Sequence, residues 1–120
     1  MTTKVTNKPA LVRNLLEVFD ERDTERRAEA IAAIHAPDVA FYEPDQVTRG
    51  HDALNARVQS LLDEAPGLVF RPASEPETNH NLERLSWRFG PDGGEPVVTG
   101  TDIALVSNGR IVSVYTFLDG

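Results

Sequence analysis

The chain of 120 residues has no cysteine and only one tryptophan. Without cysteine, disulfide bonds, thiolate zinc sites and cysteine nucleophiles are all excluded. No window approaches the roughly 18 consecutive apolar residues that a membrane-spanning helix requires. The first residues, MTTKVTNKP, also lack the apolar centre of a signal peptide. We therefore expect a cytoplasmic protein that has no membrane partner.

Positive charge is scarce as well. The 12 Lys and Arg residues are outnumbered by 19 Asp and Glu residues, which gives a net charge of -7. Surfaces that bind nucleic acids or anionic membranes carry clustered Lys and Arg, so the composition argues against both partners. The hydrophobic content of 40% and the length fit a single folded domain. We expect a flexible tail at residues 1–7 and one domain over residues 8–120.

Three segments in the first half of the chain have apolar residues at helical spacing. Asn7 is placed to cap the first of them. Asp23 or Thr24 caps the second, which carries His35 on its apolar face and is stopped by a proline. Gly50 opens the third.

Strand patterns dominate the rest of the chain. Asn108-Gly109 is the strongest short hairpin signal. Helices followed by a run of antiparallel strands predict an α+β fold with the helices on one face of a curved sheet. The predicted strands cover residues 39–43, 46–49, 68–73, 79–89, 97–106 and 110–118, and residues 74–78 are predicted as a connection.

A single carboxylate, Asp102, lies in the middle of the apolar strand at residues 97–106. Asp is depleted from strands, and an ionised carboxylate in apolar surroundings is costly unless it is paired. Alternation places Asp102 on the same face as Ala104 and Val106, whose small side chains leave room for a ligand. Asp102 is either an acid or base in a pocket, or a structural residue that bonds a loop or Arg88.

Three segments resemble the nuclear transport factor 2-like superfamily in their order and spacing: VAFYEP with RGHDAL, RLSWRFG, and VVTGTDIALVSNGRIVSVYTFLD. Within it, the chain is similar to the SnoaL-like polyketide cyclases and the steroid isomerases. The resemblance implies a cone, a cystatin-like α+β barrel, in which a bent antiparallel sheet wraps three helices around an apolar pocket. It also implies a homodimer through the outer face of the sheet, where we expect Thr101, Ile103, Leu105, Val112 and Val114.

The resemblance implies roles for two carboxylates. In the steroid isomerases, a carboxylate before a proline at the end of the first strand moves the proton, and Glu43 matches that position. Their second acid is kept protonated to bind the developing enolate, and Asp102 matches it. In the SnoaL-like cyclases, the aspartate of this same strand is instead the base. The tyrosine of the isomerases' oxyanion hole falls at about Leu15, so half of that hole is missing.

The first hypothesis is an enzyme that transfers a proton next to the carbonyl group of a small apolar compound, as an isomerase or a cyclase. Asp102 takes or holds the proton, and Glu43 or His80 is a second proton carrier. Apolar walls exclude water and strengthen each polar contact. The expected substrate-contacting residues are Leu15, Phe41, Tyr42, Val58, Leu62, Leu85, Trp87, Arg88 and Tyr115.

Two alternatives stay open. The protein is a non-catalytic module for ligand binding or dimerisation, in which Asp102 determines the fold. Otherwise it resembles an epoxide hydrolase group with an Asp–Arg–Asp set, in which Asp102 and Arg88 are two members. No pair of histidines has the spacing of metal ligands, so we expect neither a metal nor a cofactor.

Overall fold

The computed structural model describes residues 8–120, so the expected tail and the capping role of Asn7 lie outside the described residues. No helix in this part of the chain is both long and apolar enough to cross a membrane. The helical segments are α1 (Ala10–Arg13), which continues directly as a π-helical segment (Asn14–Phe19), α2 (Thr24–Ile34) and α3 (His51–Asp63).

Within residues 8–120, the strands are β1 (His35–Glu43), β2 (Gln46–Arg49), β3 (Leu68–Pro72), β4 (Glu77–Asn79), β5 (Leu82–Pro91), β6 (Val98–Ser107) and β7 (Arg110–Leu118). These seven strands form one open sheet in the order β2-β1-β7-β6-β5-β3, and β4 pairs with β5. The α+β prediction is confirmed, with one difference from the expected antiparallel sheet: β1 and β7 run parallel, so the sheet is mixed.

The start of α2 agrees with the prediction, but its end does not. Asp23 is the capping residue, since its Oδ1 accepts hydrogen bonds from the backbone N–H groups of Glu25 and Arg26 at 2.9 and 3.3 Å. The expected place of His35 on the helical face was wrong, because His35 has extended backbone and begins β1. His35 pairs with Ile111 of β7, so it belongs to the sheet and does not continue α2.

The α1 helix is fixed to the sheet by Glu83 of β5. The N-cap residue of this helix, Pro9, makes no side-chain hydrogen bond to it. The Glu83 carboxylate instead accepts hydrogen bonds from the backbone N–H groups of Leu11 and Ala10 at 2.9 and 3.4 Å. A carboxylate there also interacts favourably with the positive end of the helix dipole. This contact holds α1 and the π-helical segment against the sheet.

The predicted strand at residues 79–89 is divided by a turn. β4 and β5 form a tight hairpin, in which Glu77 lies opposite Arg84 and forms an ion pair with it. His80 lies in the turn with a φ of 55°, a left-handed conformation in which His is enriched among non-glycine residues. The segment at residues 74–78, predicted as a connection, therefore contains the start of β4.

The last hairpin turns at Asn108-Gly109 as predicted, with φ values of 53° and 79°. A regular two-residue hairpin would pair Leu105 with Val112 and so place Val114 on the outer face. The observed ladder pairs Val106 with Ile111 but Leu105 with Ser113, which leaves one extra residue in β7. Beyond this bulge, each side chain of β7 points to the face opposite the one it would take in a regular hairpin. The outward placement of Val114 was therefore wrong: it is 1% exposed, in the core.

Candidate functional site

A cavity of about 830 Å³ opens among the helices and the inner face of the sheet. The π-helical segment contributes Leu15 and Phe19 to it. Such segments are rare and frequently occur at functional sites. The apolar part of the wall includes Phe41, Leu61, Phe70, Trp87, Phe89 and Val98, and the polar groups are Glu43, Asp45, Gln46, Arg57, Glu64, Asp102 and Thr116.

Asp102 is a buried acid in this wall, with 6% of its surface exposed. Two side chains donate hydrogen bonds to the same oxygen, Oδ1: the Trp87 indole N–H at 2.9 Å and the Thr116 hydroxyl at 2.7 Å. No group in residues 8–120 donates to the other oxygen, Oδ2. The carboxyl group is therefore held through one oxygen, which leaves the second for a ligand.

Burial raises the pKa of Asp102 to about 6, because removing the carboxylate from water destabilises its charged form. The hydrogen bonds from Thr116 and Trp87 act in the opposite direction and limit the rise. A carboxyl group with this pKa is mostly ionised at neutral pH and is a stronger base than an exposed aspartate. Catalytic bases work best with a pKa near the operating pH.

The contact between Trp87 and Asp102 depends on Gly100. Trp87 lies directly opposite Gly100 in the ladder between β5 and β6, two residues away from Asp102. A Cβ atom at Gly100 would lie 2.5 Å from Cζ2 of the indole ring, far inside contact distance. The missing side chain therefore lets the ring cross the β6 backbone and reach the carboxyl group. Sequence reasoning missed this role, although a glycine inside a strand often marks such a close approach.

A second polar pair in the wall joins β1 to α3. The Arg57 guanidinium donates from Nε and Nη2 to the two oxygens of Glu43, both at 2.8 Å. This hydrogen-bonded pairing raises the pKa of Arg57 above its usual value. Sequence reasoning missed Arg57. The available signal was its position three residues after Leu54 and four before Leu61, on the buried stripe of the helix.

Similarity to known proteins shows the family of the chain. A model of the SnoaL-like domain family matches residues 12–114. The chain belongs to the SnoaL-like family. The chain matches no curated protein sequence at a significant level.

Solved structures show the same SnoaL-like fold. A candidate isomerase of the SnoaL-like family from Agrobacterium tumefaciens is 29% identical, with a TM-score of 0.85 over 92% of this chain and 95% of that one. A candidate SnoaL-like polyketide cyclase from Jannaschia sp. CCS1 is 14% identical, with a TM-score of 0.72 over 98% and 90%. A nuclear transport factor 2-like protein of unknown function from Exiguobacterium sp. 255-15 is 22% identical, with a TM-score of 0.71 over 92% and 98%.

The SnoaL-like cavity brings together only part of the predicted site. Asp102, Glu43, Trp87, Phe41 and Leu15 all line it. Three other predicted wall residues are buried in the core and do not line the cavity: Val58, Leu62 and Leu85. Leu61 and Phe70, which were not predicted as wall residues, do line it.

Four other predicted site residues lie away from this cavity of the SnoaL-like domain. Tyr42 and Tyr115 stack on each other, with ring centroids 4.4 Å apart, and Tyr115 is exposed. Arg88 donates to the backbone carbonyl of Gly94, and the side chains of the described residues that donate to Asp102 are Trp87 and Thr116, so the expected bond between Arg88 and Asp102 is not formed. His80 lies in the exposed β4–β5 turn. In the described part of the chain, no group of three or more His, Asp or Glu side chains is placed to hold a metal ion.

Proposed function

We propose that this SnoaL-like protein is an enzyme that transfers a proton next to the carbonyl group of a small, mostly apolar molecule, as an isomerase or a cyclase. The proposal rests on one observation: a buried carboxyl group with a pKa of about 6, whose Oδ2 is free of hydrogen bonds from the described residues, lines an apolar cavity. Similarity to candidate isomerases and polyketide cyclases supports it.

Asp102 is the base in this proposal. Its Oδ2 accepts the proton of a C–H group next to the carbonyl. The electron pair of that bond forms a C=C bond while the π pair of the carbonyl moves onto its oxygen, which gives an enolate. Where a further C=C bond is conjugated with the enolate, return of the proton from Asp102 to the far carbon gives an isomer. Attack of the enolate carbon on a second carbonyl group of the same molecule closes a ring, and the new alkoxide takes the proton back from Asp102. Trp87 and Thr116 keep the carboxyl group oriented, and the aromatic wall excludes water.

The test is deuterium exchange at the carbon next to the carbonyl, measured by mass spectrometry for a panel of cyclic and aromatic ketones in D₂O. We expect the wild type to accelerate exchange for some panel members, and Asp102→Asn to lower that rate by about 100-fold or more. Asp38→Asn, at an exposed position of β1, is the matched control and should exchange like the wild type. Unchanged exchange in Asp102→Asn would remove the base role. Binding without exchange in the wild type would instead support a non-catalytic ligand-binding module.

We also propose that the protein forms a homodimer through the outer face of the sheet. Tyr115 and Phe117 of β7 are 42% and 58% exposed there, beside Ile103 of β6. Two large aromatic side chains exposed on the outer face of a sheet are typical of an association surface. Assembly through this face leaves the inner cavity open to a ligand.

A further inference from the structure

Arg57 has a donor group that the pairing with Glu43 does not use. Its Nε and Nη2 atoms hold the Glu43 carboxylate, whereas Nη1 makes no hydrogen bond within residues 8–120. Arg57 lines the cavity together with Asp102, and its side chain is 24% exposed. We infer, building on the proposed function, that Arg57 Nη1 binds the carbonyl oxygen of the substrate, and that the substrate is a neutral carbonyl compound rather than a carboxylate.

The guanidinium is held in a fixed orientation before any ligand arrives. Glu43 grips it through two parallel hydrogen bonds, and the residue next to Arg57 in α3, Val58, is buried in the core. A donor whose orientation is already fixed stabilises a developing negative charge without the cost of reorganisation. Arg57 is therefore suited to the oxygen on which the enolate charge forms.

None of the other donors in the described cavity lining is both charged and free. The side-chain amide of Gln46 is neutral and belongs to an exposed residue at the start of β2. The indole N–H of Trp87 and the hydroxyl of Thr116 are both donated to Asp102. Leu15, on the π-helical segment, is apolar, and the phenols of Tyr42 and Tyr115 lie outside the cavity. Among the described lining residues, Arg57 is the one that carries a positive charge.

The charges around the cavity decide between a neutral and an anionic ligand. Glu43 already balances the charge of Arg57, and Asp45, Glu64 and Asp102 add further carboxylates to the lining. A bound carboxylate would be repelled by these groups, and like charges placed together are unfavourable. A neutral ketone avoids this repulsion. During the reaction, the C–H proton moves to Asp102 as negative charge moves to the oxygen on Arg57, so the net charge of the site does not change.

The test uses three probes with one ring system: 2-acetylnaphthalene, 2-ethylnaphthalene and 2-naphthoate. Trp87 is the one tryptophan of the chain, so ¹⁵N-labelled protein gives a single indole signal, in the cavity wall. Titrations that follow this signal give a Kd for each probe. We expect Arg57→Met to weaken 2-acetylnaphthalene about tenfold, the effect of losing a hydrogen bond to a charged donor, and to change 2-ethylnaphthalene by less than about twofold. We also expect the wild type at pH 8 to bind 2-naphthoate more weakly than the ketone.

Two further variants make the result decisive. Arg49→Met removes a cation that lies over the Tyr42 ring, away from the cavity, and should leave all three Kd values unchanged. Glu43→Gln combined with Arg57→Met removes both charges of the pair, so it repeats the measurement if Arg57→Met alone is unstable.

An equal loss for ketone and hydrocarbon would overturn the role of Arg57, because it would reflect packing alone. Tighter binding of 2-naphthoate than of the ketone would overturn the substrate class. Asp102→Asn should lower the rate of deuterium exchange by about 100-fold or more, yet keep the Arg57-dependent preference for the ketone over the hydrocarbon. If the wild type shows the Arg57-dependent preference for the ketone but does not accelerate deuterium exchange, the proton-transfer function is refuted and the role of Arg57 in binding is retained.

Discussion

Replacing Asp102 by Asn should stabilise the fold at neutral and alkaline pH. The folded protein holds this carboxyl group at a pKa of about 6, compared with the ordinary value of 3.8. Ionisation is therefore less favourable in the folded than in the unfolded chain. Asn has the same shape and keeps an oxygen for Trp87 and Thr116, but it carries no charge. The substitution removes the cost of a buried charge and leaves the packing in place.

The size of the effect follows from the pKa difference. Each unit corresponds to about 1.4 kcal/mol, so ionised Asp102 lowers the free energy of unfolding by about 3 kcal/mol at pH 8. The destabilisation shrinks as the pH falls through the folded and then the unfolded pKa, to about 0.5 kcal/mol near pH 4. The sign is that of an acid whose folded pKa is raised: the folded state gains protons, and stability, as the pH falls.

Urea unfolding of the wild type and Asp102→Asn at pH 4 and pH 8 measures this difference. The gain of the variant should be about 3 kcal/mol at pH 8, or roughly 10 °C in Tm, and should nearly vanish at pH 4. The exposed Asp38→Asn substitution is the control, whose difference from the wild type should be small at both pH values. A gain of the same size at both pH values, or no gain at pH 8, would refute the assignment of a raised pKa to Asp102.

Three other substitutions test separate parts of the structure. Gly100→Ala should displace the Trp87 indole and break its hydrogen bond to Asp102. The pKa of the Asp102 carboxyl group should then rise further, and the NMR signal of the Trp87 indole should shift. An indole signal that does not shift would contradict the close approach of Trp87 to Gly100. Burial lowers the pKa of His35 to about 4, so the folded state loses stability as the pH falls from about 6.5 towards 4. His35→Gln cannot take up this proton, so it should not lose stability over that range. Its unfolding free energy should therefore approach that of the wild type by about 3 kcal/mol between pH 7 and pH 4. A difference between the two proteins that stays constant with pH would exclude this titration of His35. If the proposed dimer forms through the outer face of the sheet, Phe117→Ser should lower the sedimentation coefficient in analytical ultracentrifugation to that of a monomer. A wild type that sediments as a monomer, or a dimer that Phe117→Ser leaves unchanged, would refute this interface.

Local patterns in the sequence were enough to predict the general architecture. The cap at Asp23 and the turn at Asn108-Gly109 each depend on a few neighbouring residues, and the structure confirms both. Strand alternation alone places Asp102 on the same face as Ala104, because no bulge intervenes between them, and the structure shows that this face is buried. The segments that resemble the SnoaL-like family added the order of the elements and pointed to the apolar pocket.

Two errors arose where the choice between local alternatives depended on distant partners. His35 continues the pattern of α2, but its pairing with β7, more than 70 residues away in sequence, places it in β1. Val114 follows the alternation of an ideal hairpin, but one extra residue in β7 turns it into the core. Neither effect is visible in a short window, because each depends on the register between strands.

The sequence by itself therefore determined the class of fold, the family and the acid at Asp102, since each follows from short-range spacing or from a set of motifs. The tertiary structure decided the chemistry around that acid. Trp87 reaches Asp102 only because Gly100 lets the ring cross its strand, and Arg57 faces Glu43 only because α3 packs beside β1. Hydrogen bonds, burial and the resulting pKa depend on distances in space, which the order of residues along a chain does not contain.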